Sequence, residues 1–193
     1  MIFEDGKGTG SKARVDKNNR MHVQSVTETE GLHITEKGDA YNINTGTISF
    51  SAAGTLLYIK NNEDQDMVID NIIIAMGAAS TSDSPEITFV RNPTGGDLIT
   101  DATAVSIDQN RNGGSNKTLT ADKYAGKSGG TLTGGNDWLF IYQNEDGRAV
   151  IGIQLILPKG ASIGIKLDPK LSSGSVKAYA AAVVWLKDNE SKD

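Results

Sequence analysis

Residues 151–168 read IGIQLILPKGASIGIKLD. Ile151, Ile153, Leu155 and Leu157 share one parity, with Gly152 and Gln154 on the other. Pro158-Lys159-Gly160 then turns the chain, and Ile163, Ile165 and Leu167 alternate with Ser162, Gly164, Lys166 and Asp168. A period of two on both sides of a Pro/Gly turn predicts a half-buried β-hairpin, because successive strand side chains point to opposite faces.

The same period extends outward in both directions. After Pro169 to Gly174, residues Val176 to Leu186 read as a closing strand with small alanines and Trp185. Upstream, Tyr41 and Ile43 alternate with Asn42 and Asn44; a Thr45-Gly46 turn follows, then Ile48 and Phe50 alternate with Thr47 and Ser49. Leu57 and Ile59 oppose Leu56, Tyr58 and Lys60. After the polar turn Asn61 to Asp66, residues Met67 to Met76 are apolar in both parities, as expected of a strand buried on both faces. Ile87 and Phe89 mark another strand, ended by Asn92-Pro93 and Gly95-Gly96, and a weaker one covers Ala104 to Ile107. Many short strands separated by Gly/Asn/Asp turns indicate a sandwich or barrel.

Helix signals are scarce. Thr27 and Glu30 stand at capping-box spacing, with Gly38 at the C-cap position, so one short helix fits Ser25 to Gly38. Gly31 and the β-branched Ile34 and Thr35 weaken it. Residues 109–135 are rich in Gly, Asn, Ser, Thr and Lys and read as a long loop, a feature commonly functional in a compact domain. Tyr58-Ile59-Lys60-Asn61-Asn62-Glu63-Asp64 is echoed by Ile141-Tyr142-Gln143-Asn144-Glu145-Asp146-Gly147, each ahead of a long strand. A jelly roll, built from two Greek keys, would produce that pairing; so would ordinary Asn-Glu-Asp turn chemistry, and the two readings stand level.

A chain of 193 residues can bury a core without staples, and with no cysteine it has no disulfides or thiolate metal sites. Met1 to Arg20 is polar, with no apolar signal region, and no stretch approaches the length of a membrane helix; a soluble protein made in the cytoplasm is expected. The net charge of −5 argues against a duplex nucleic-acid binder. Lys7, Lys12, Arg14, Lys17 and Arg20 do form a basic N-terminal stretch, but no aromatic is interleaved for base stacking, and a solvated arm is the better reading.

Chemistry-bearing constellations are thin. His22 and His33 are the two histidines, and zinc sites need three or four ligands. The histidine cluster of a cupin metal centre is missing. No Gly-x-Ser-x-Gly elbow occurs. Gly126-Lys127-Ser128 resembles the end of a phosphate loop, but Ala121 stands where its first glycine belongs. The acidic turns Asn61 to Asp66 and Asn144 to Asp146 could offer oxygens to calcium, yet match no EF-hand spacing, and solvated turns are favoured. Trp138 and Trp185 fall in strand patterns, where core packing outweighs a sugar-stacking platform. No catalytic, cofactor-binding or metal-binding residue is therefore expected.

The run Val15-Asp16-Lys17-Asn18-Asn19-Arg20-Met21-His22-Val23 leads to Glu28-Thr29-Glu30 and to Gly38-Asp39-Ala40-Tyr41-Asn42-Ile43-Asn44-Thr45-Gly46. These segments resemble the front of a group of virion-associated proteins of tailed bacteriophages. The likeness continues through Leu57-Tyr58-Ile59-Lys60-Asn61-Asn62-Glu63, Ile72 to Gly77, Asn116-Lys117-Thr118-Leu119 and Thr131-Leu132-Thr133-Gly134-Gly135, covering most of the chain from residue 10 onward. It implies a jelly-roll-like structural or decoration module present in many copies. It carries no catalytic residue.

The expectation is an all-β chain: a jelly-roll-like β-sandwich of about nine or ten antiparallel strands over residues 26–187, with an extended N-terminal arm at 1–25 and a charged tail at 188–193. The expected role is a non-enzymatic virion structural protein, capsid- or tail-associated. Its partners would be itself, as a homo-oligomer, and other virion proteins such as major capsid or tail proteins, with no specific nucleic acid, no membrane and no cofactor. The alternative is a carbohydrate-binding or receptor-binding module. A cupin-type or glycan-degrading enzyme ranks third. The N-terminal arm and the 109–135 loop are the first places to seek a working surface.

Overall fold

The structure, a computed structural model, describes residues 29–77, 83–142 and 147–187, together with the backbone of 14–15 and 21–22. The chain divides into two compact units, Met1–Glu30 and Gly31–Asp193. In the first, β1 (Arg14–Val15) pairs antiparallel with β2 (Met21–His22), so this part of the expected arm folds back as a small ladder. The rest of the arm with its lysines, the capping candidate Thr27, and the tail at 188–193 lie outside the described residues.

The second unit is a sandwich of two antiparallel sheets. One sheet has the order β11 (Asn136–Tyr142), β7 (Glu86–Arg91), β13 (Ser162–Asp168), β5 (Gly54–Asn61), β10 (Ala121–Ala125), β8 (Thr103–Ala104). The other has β12 (Arg148–Leu157), β6 (Met67–Met76), β14 (Val176–Leu186), β3 (Ala40–Asn44), β9 (Ile107–Asn110), with β4 (Ile48–Phe50) also on β14. Fourteen strands occur among the described residues, and five of them have only two to four residues. Phe50, Phe89, Ile43, Leu57, Ile59, Ile69, Ile72, Ile74 and Ile163 fill the space between the sheets. Strand β6 lies between β12 and β14; its Ile72, Ile74 and Met76 are buried, while Asn71, Ile73 and Ala75 on its other face are half-buried.

The opening stretch is not a hairpin. Strand β12 pairs with β6, whereas β13 pairs with β5 and β7 in the opposite sheet. Pro158 to Gly160 therefore carries the chain across the sandwich. Alternation reports that a strand has one buried face; it does not report its neighbour. Thr45-Gly46 is a kink rather than a reversal, since β3 and β4 run consecutively along β14. Thr45 bridges the break: its amide donates to Ala180 O at 3.0 Å, and Ala180 N donates back to its Oγ1 at 3.0 Å.

Helix α1 (Glu30–Lys37) ends as anticipated. Gly38 takes φ +80°, its amide donates to Thr35 O, and Asp39 N donates to Ile34 O, the paired bonds of a Schellman motif.

Between β5 and β6 the side chain of Asn61, fully buried, ties the turn down. Its Nδ2 donates to Gln65 O and Leu157 O, each at 2.8 Å, and its Oδ1 accepts from Glu63 N at 2.9 Å.

Candidate interaction surface

Two surfaces stand out. The first is a strap over the outer face of the β7–β13–β5–β10 sheet. It consists of the segment around α2 (Asp97–Thr100) and residues 126–135, joined by a bridge between Gly95 and Thr133. Leu98 and Leu132 descend from the strap onto Tyr58 and Val90, forming a second, smaller apolar cluster. Tyr58 stacks on Tyr124 with ring centroids 5.9 Å apart. Leu132 seats on Gly164 of β13, where a Cβ would overlap its Cδ2. Close approach explains the glycine at an otherwise ordinary outward position.

Ion pairs pin the strap. Asp97 accepts hydrogen bonds from the amide and the Oγ1 of Thr131, and Lys127 Nζ lies 3.0 Å from its Oδ2. The Thr131 amide above all, then Lys127, holds the Asp97 carboxyl down at about 2. Beneath the strap a cleft of about 410 Å³ is lined by Gly54, Thr88, Gly130, Leu132, Lys166 and Asp168. Its charged groups are paired: Lys166 with Asp137 at 3.0 Å and Asp168 with Lys170 at 2.6 Å. Burial pushes the Asp168 carboxyl up, but the Lys170 bonds outweigh it and the net shift is downward. A carboxylate kept charged by a lysine suits holding a turn, not trading protons near neutrality.

The second surface is one open edge of the sandwich, where β11 and β12 each end a sheet. Leu139 and Ile141 sit opposite Phe89 and Ile87 and pack inward; Phe140 and Tyr142 sit opposite Thr88 and Glu86 and point out. Trp138 is the bulged residue, with the Arg91 guanidinium 6.0 Å from its ring centroid. The outward side chains are exposed to unusual degree for their type: Trp138 39%, Phe140 52%, Tyr142 70%, Val150 59% and Ile156 43%. On β12 the inward Ala149, Ile151 and Ile153 are only half-buried. The opposite edge differs: β8 and β9 are two and four residues long, and β9 reads Ile107-Asp108-Gln109-Asn110.

No protein-family model matches the chain, and no curated protein sequence matches it.

The residues singled out in the sequence fall as follows. The 109–135 segment is largely built in: β10 lies within it on β5, Asn110 Nδ2 donates to Gly38 O and Asn112 Nδ2 to Glu36 O at 2.8 Å, and Lys117 pairs with Asp39 at 2.8 Å. A polar composition reads as loop, but here the Asn side chains cap the end of α1. In Gly126-Lys127-Ser128 the lysine pairs with Asp97 and the Ser128 hydroxyl accepts from Ser51 N at 2.9 Å. In the Asn61 to Asp66 turn Asn61 is spent internally and Asp64 pairs with Lys159 at 2.5 Å. His33 is exposed on α1. Asn144 to Asp146 and the side chain of His22 lie outside the described residues.

Trp185 is half-buried on β14, while Trp138, expected in the core, is partly exposed. The sequence reading missed Phe140, Tyr142, Val150 and Ile156. Their signal was present: 138–142 and 149–157 are apolar in both parities, as Met67–Met76 is. That pattern cannot separate a central strand from an uncovered edge.

Proposed function

We propose that this chain is a non-enzymatic structural protein of a tailed-bacteriophage virion. It is a jelly-roll module, made in the host cytoplasm, that assembles in many copies on a capsid or tail. The observation that carries the jelly-roll reading is strand order. The longer strands β3, β14, β6, β12 and β5, β13, β7, β11 form two four-stranded blocks. The chain passes between the blocks at β3–β5, β5–β6, β6–β7, β11–β12, β12–β13 and β13–β14. Two interlocked Greek keys generate that order.

Fold alone does not assign a role. The virion role rests on the phage-like segments quoted above, and an uncovered apolar edge is what an assembling module would carry. Mass-spectrometric inventory of separated heads and tails from the source particle tests it. Stoichiometric presence in either fraction is the expected result, and absence from both refutes the virion role. Deleting residues 1–19 tests the arm: loss of particle incorporation is expected if the basic arm docks on an acidic shell.

A carbohydrate- or receptor-binding role is the second reading. The exposed row Trp138, Phe140, Tyr142 favours it, since aromatic faces stack on sugars. Selective binding on a glycan array, lost in Trp138→Ala, would favour this role over the first.

A further inference from the structure

We propose that a second cleft on the outer face of the β7–β13–β5–β10 sheet binds a small polyhydroxy acid, a carboxylate-bearing molecule of monosaccharide size. This goes beyond the assembly role above and does not depend on it. Along β13, Lys166 and Asp168 line the cleft already described, and Leu132 seats on Gly164. Past that contact, Ser162 lines a separate cleft of about 330 Å³. Its other walls include Tyr58 and Lys60 of β5, and Asn92, Thr94 and Ile99 from the segment that follows β7.

The polar groups here differ from those of the first cleft in having no protein partner. Ser162 and Tyr58 are each 4% exposed, and both lie on the parity opposite to the core residues Ile163 and Ile59. Ser162 is tied into the fold by its amide, which donates to Asn92 Oδ1 at 2.9 Å, and Tyr58 by its ring, which stacks on Tyr124. Neither hydroxyl makes a hydrogen bond among the described residues, and the half-buried Lys60 makes no ion pair among them. Buried polar groups nearly always find a partner. Two such hydroxyls opening onto one cleft mark a place where a partner from solution completes the bonding.

The donors decide the ligand class. Asn92 ends β7 at φ +49°, and its own amide donates to Ser162 O at 2.9 Å. Because its side chain accepts from an N–H, the accepting atom is Oδ1, and the Nδ2 amide is left to be satisfied. Lys60 Nζ and Asn92 Nδ2 can only donate, whereas the Ser162, Tyr58 and Thr94 hydroxyls can donate and accept. Lys60 is the one formal charge among the described residues lining the cleft. Asp122 faces it across the ladder without pairing, and instead accepts from Asn62 Nδ2 at 2.9 Å. An ammonium beside an amide donor suits an anionic oxygen group. Three hydroxyls suit a ligand with hydroxyls of its own, and Ile99 offers an apolar wall to a ring face. The volume stands at the low end of what small-molecule sites occupy, which fits one sugar-sized ring rather than a chain.

The test is a proton–nitrogen chemical-shift titration of the full chain, with sodium glucuronate as the probe and glucose as its neutral counterpart. Glucuronate should move the Asn92 side-chain amide and the backbone amides of 92, 94 and 160–162, saturating with a dissociation constant at or below about 1 mM. Glucose should bind at least about tenfold more weakly, since it lacks the charge-assisted bond to Lys60. Lys60→Met keeps the aliphatic stem and should weaken glucuronate at least about tenfold. Ser162→Ala, removing one neutral hydrogen bond, should weaken it about fivefold. Should either variant misfold, the unaltered protein decides, because the shifts must fall on the residues named. Shifts centred on Lys166 and Lys170 instead, no saturable shift up to about 10 mM glucuronate, or equal binding of glucose overturns the proposal. So does full affinity in a folded Lys60→Met. Inorganic phosphate binding as tightly as glucuronate also overturns it, reducing the cleft to a site for any small anion. The virion inventory and Trp138→Ala involve none of these residues, so each reading fails separately.

Discussion

Replacing Asn61 by alanine should destabilise the sandwich by about 3 kcal/mol. The side chain is fully buried and makes three hydrogen bonds to main chain, two of them to Gln65 O and Leu157 O. Each bond is worth about 1 kcal/mol net, and a buried acceptor left without a donor costs about 1–3 kcal/mol. Leu157 O bears that cost, since its bond to Asn61 is buried; the turn sites Gln65 O and Glu63 N are nearer water. For a domain of this size about 3 kcal/mol lowers the melting temperature by roughly 6–12 °C. It shifts a urea midpoint by roughly 1–1.5 M. Urea unfolding followed by circular dichroism measures it. Asn61→Leu is the control, because leucine restores volume without restoring donors. If the hydrogen bonds carry the effect, leucine remains destabilised by at least about 2 kcal/mol. A loss under about 1 kcal/mol for alanine, or recovery with leucine, would refute the reasoning and reduce the site to packing.

Three further outcomes follow from the geometry. Leu132→Ala, removing the side chain seated on Gly164, Tyr58 and Val90, should cost about 2–4 kcal/mol and speed proteolysis within 126–135; unchanged cleavage there would mean that the strap is held by its ion pairs instead. The Asp97 carboxyl lies at about 2 in the fold against an ordinary 3.8, so its contribution is present above about 3.8 and lost as pH falls toward 2. The Thr131 amide should therefore exchange faster at pH 2 than at pH 4 relative to unstructured amides, and Asp97→Asn should erase that difference. Tyr41 is pushed up to about 12, first by burial and then by Asp39, Glu63 and Asp108, so its stabilisation is complete below pH 10 and lost as pH rises through 12. Burial and Asp122 also push Tyr124 up, so an ultraviolet titration should show late-ionising tyrosines, and Tyr41→Phe should remove the part that ionises near pH 12.

Strand identity was legible in the sequence where burial is one-sided or two-sided, as in Met67–Met76 and Ile163–Leu167, because solvent contrast writes parity into residue choice. Partnership was not. The 151–168 stretch looked like a hairpin because a Pro/Gly turn shapes its own few residues in the same way whether the chain returns to its own sheet or crosses to the other. The 109–135 segment looked loose because its ordering comes from Asn110 and Asn112 bonding to a helix end some 70 residues earlier in the chain, a contact with no local trace. The open edge was hidden for a related reason: apolarity in both parities does not say whether a strand lies inside a sheet or at its edge.

The position of β14 bears on how the protein is made. It contacts β6, β3 and β4 at once, yet follows all three in the chain. During synthesis the amino-terminal strands emerge with a vacant slot down the middle of their sheet, and only the arrival of Val176–Leu186 fills it. Folding of this sheet must then wait for its last strand to emerge, and it is dominated by long sequence separations and correspondingly slow. Until then a ribosome-bound chain displays Met67–Met76 unpaired on that side, which makes this the stage at which chaperone capture or aggregation would compete with folding.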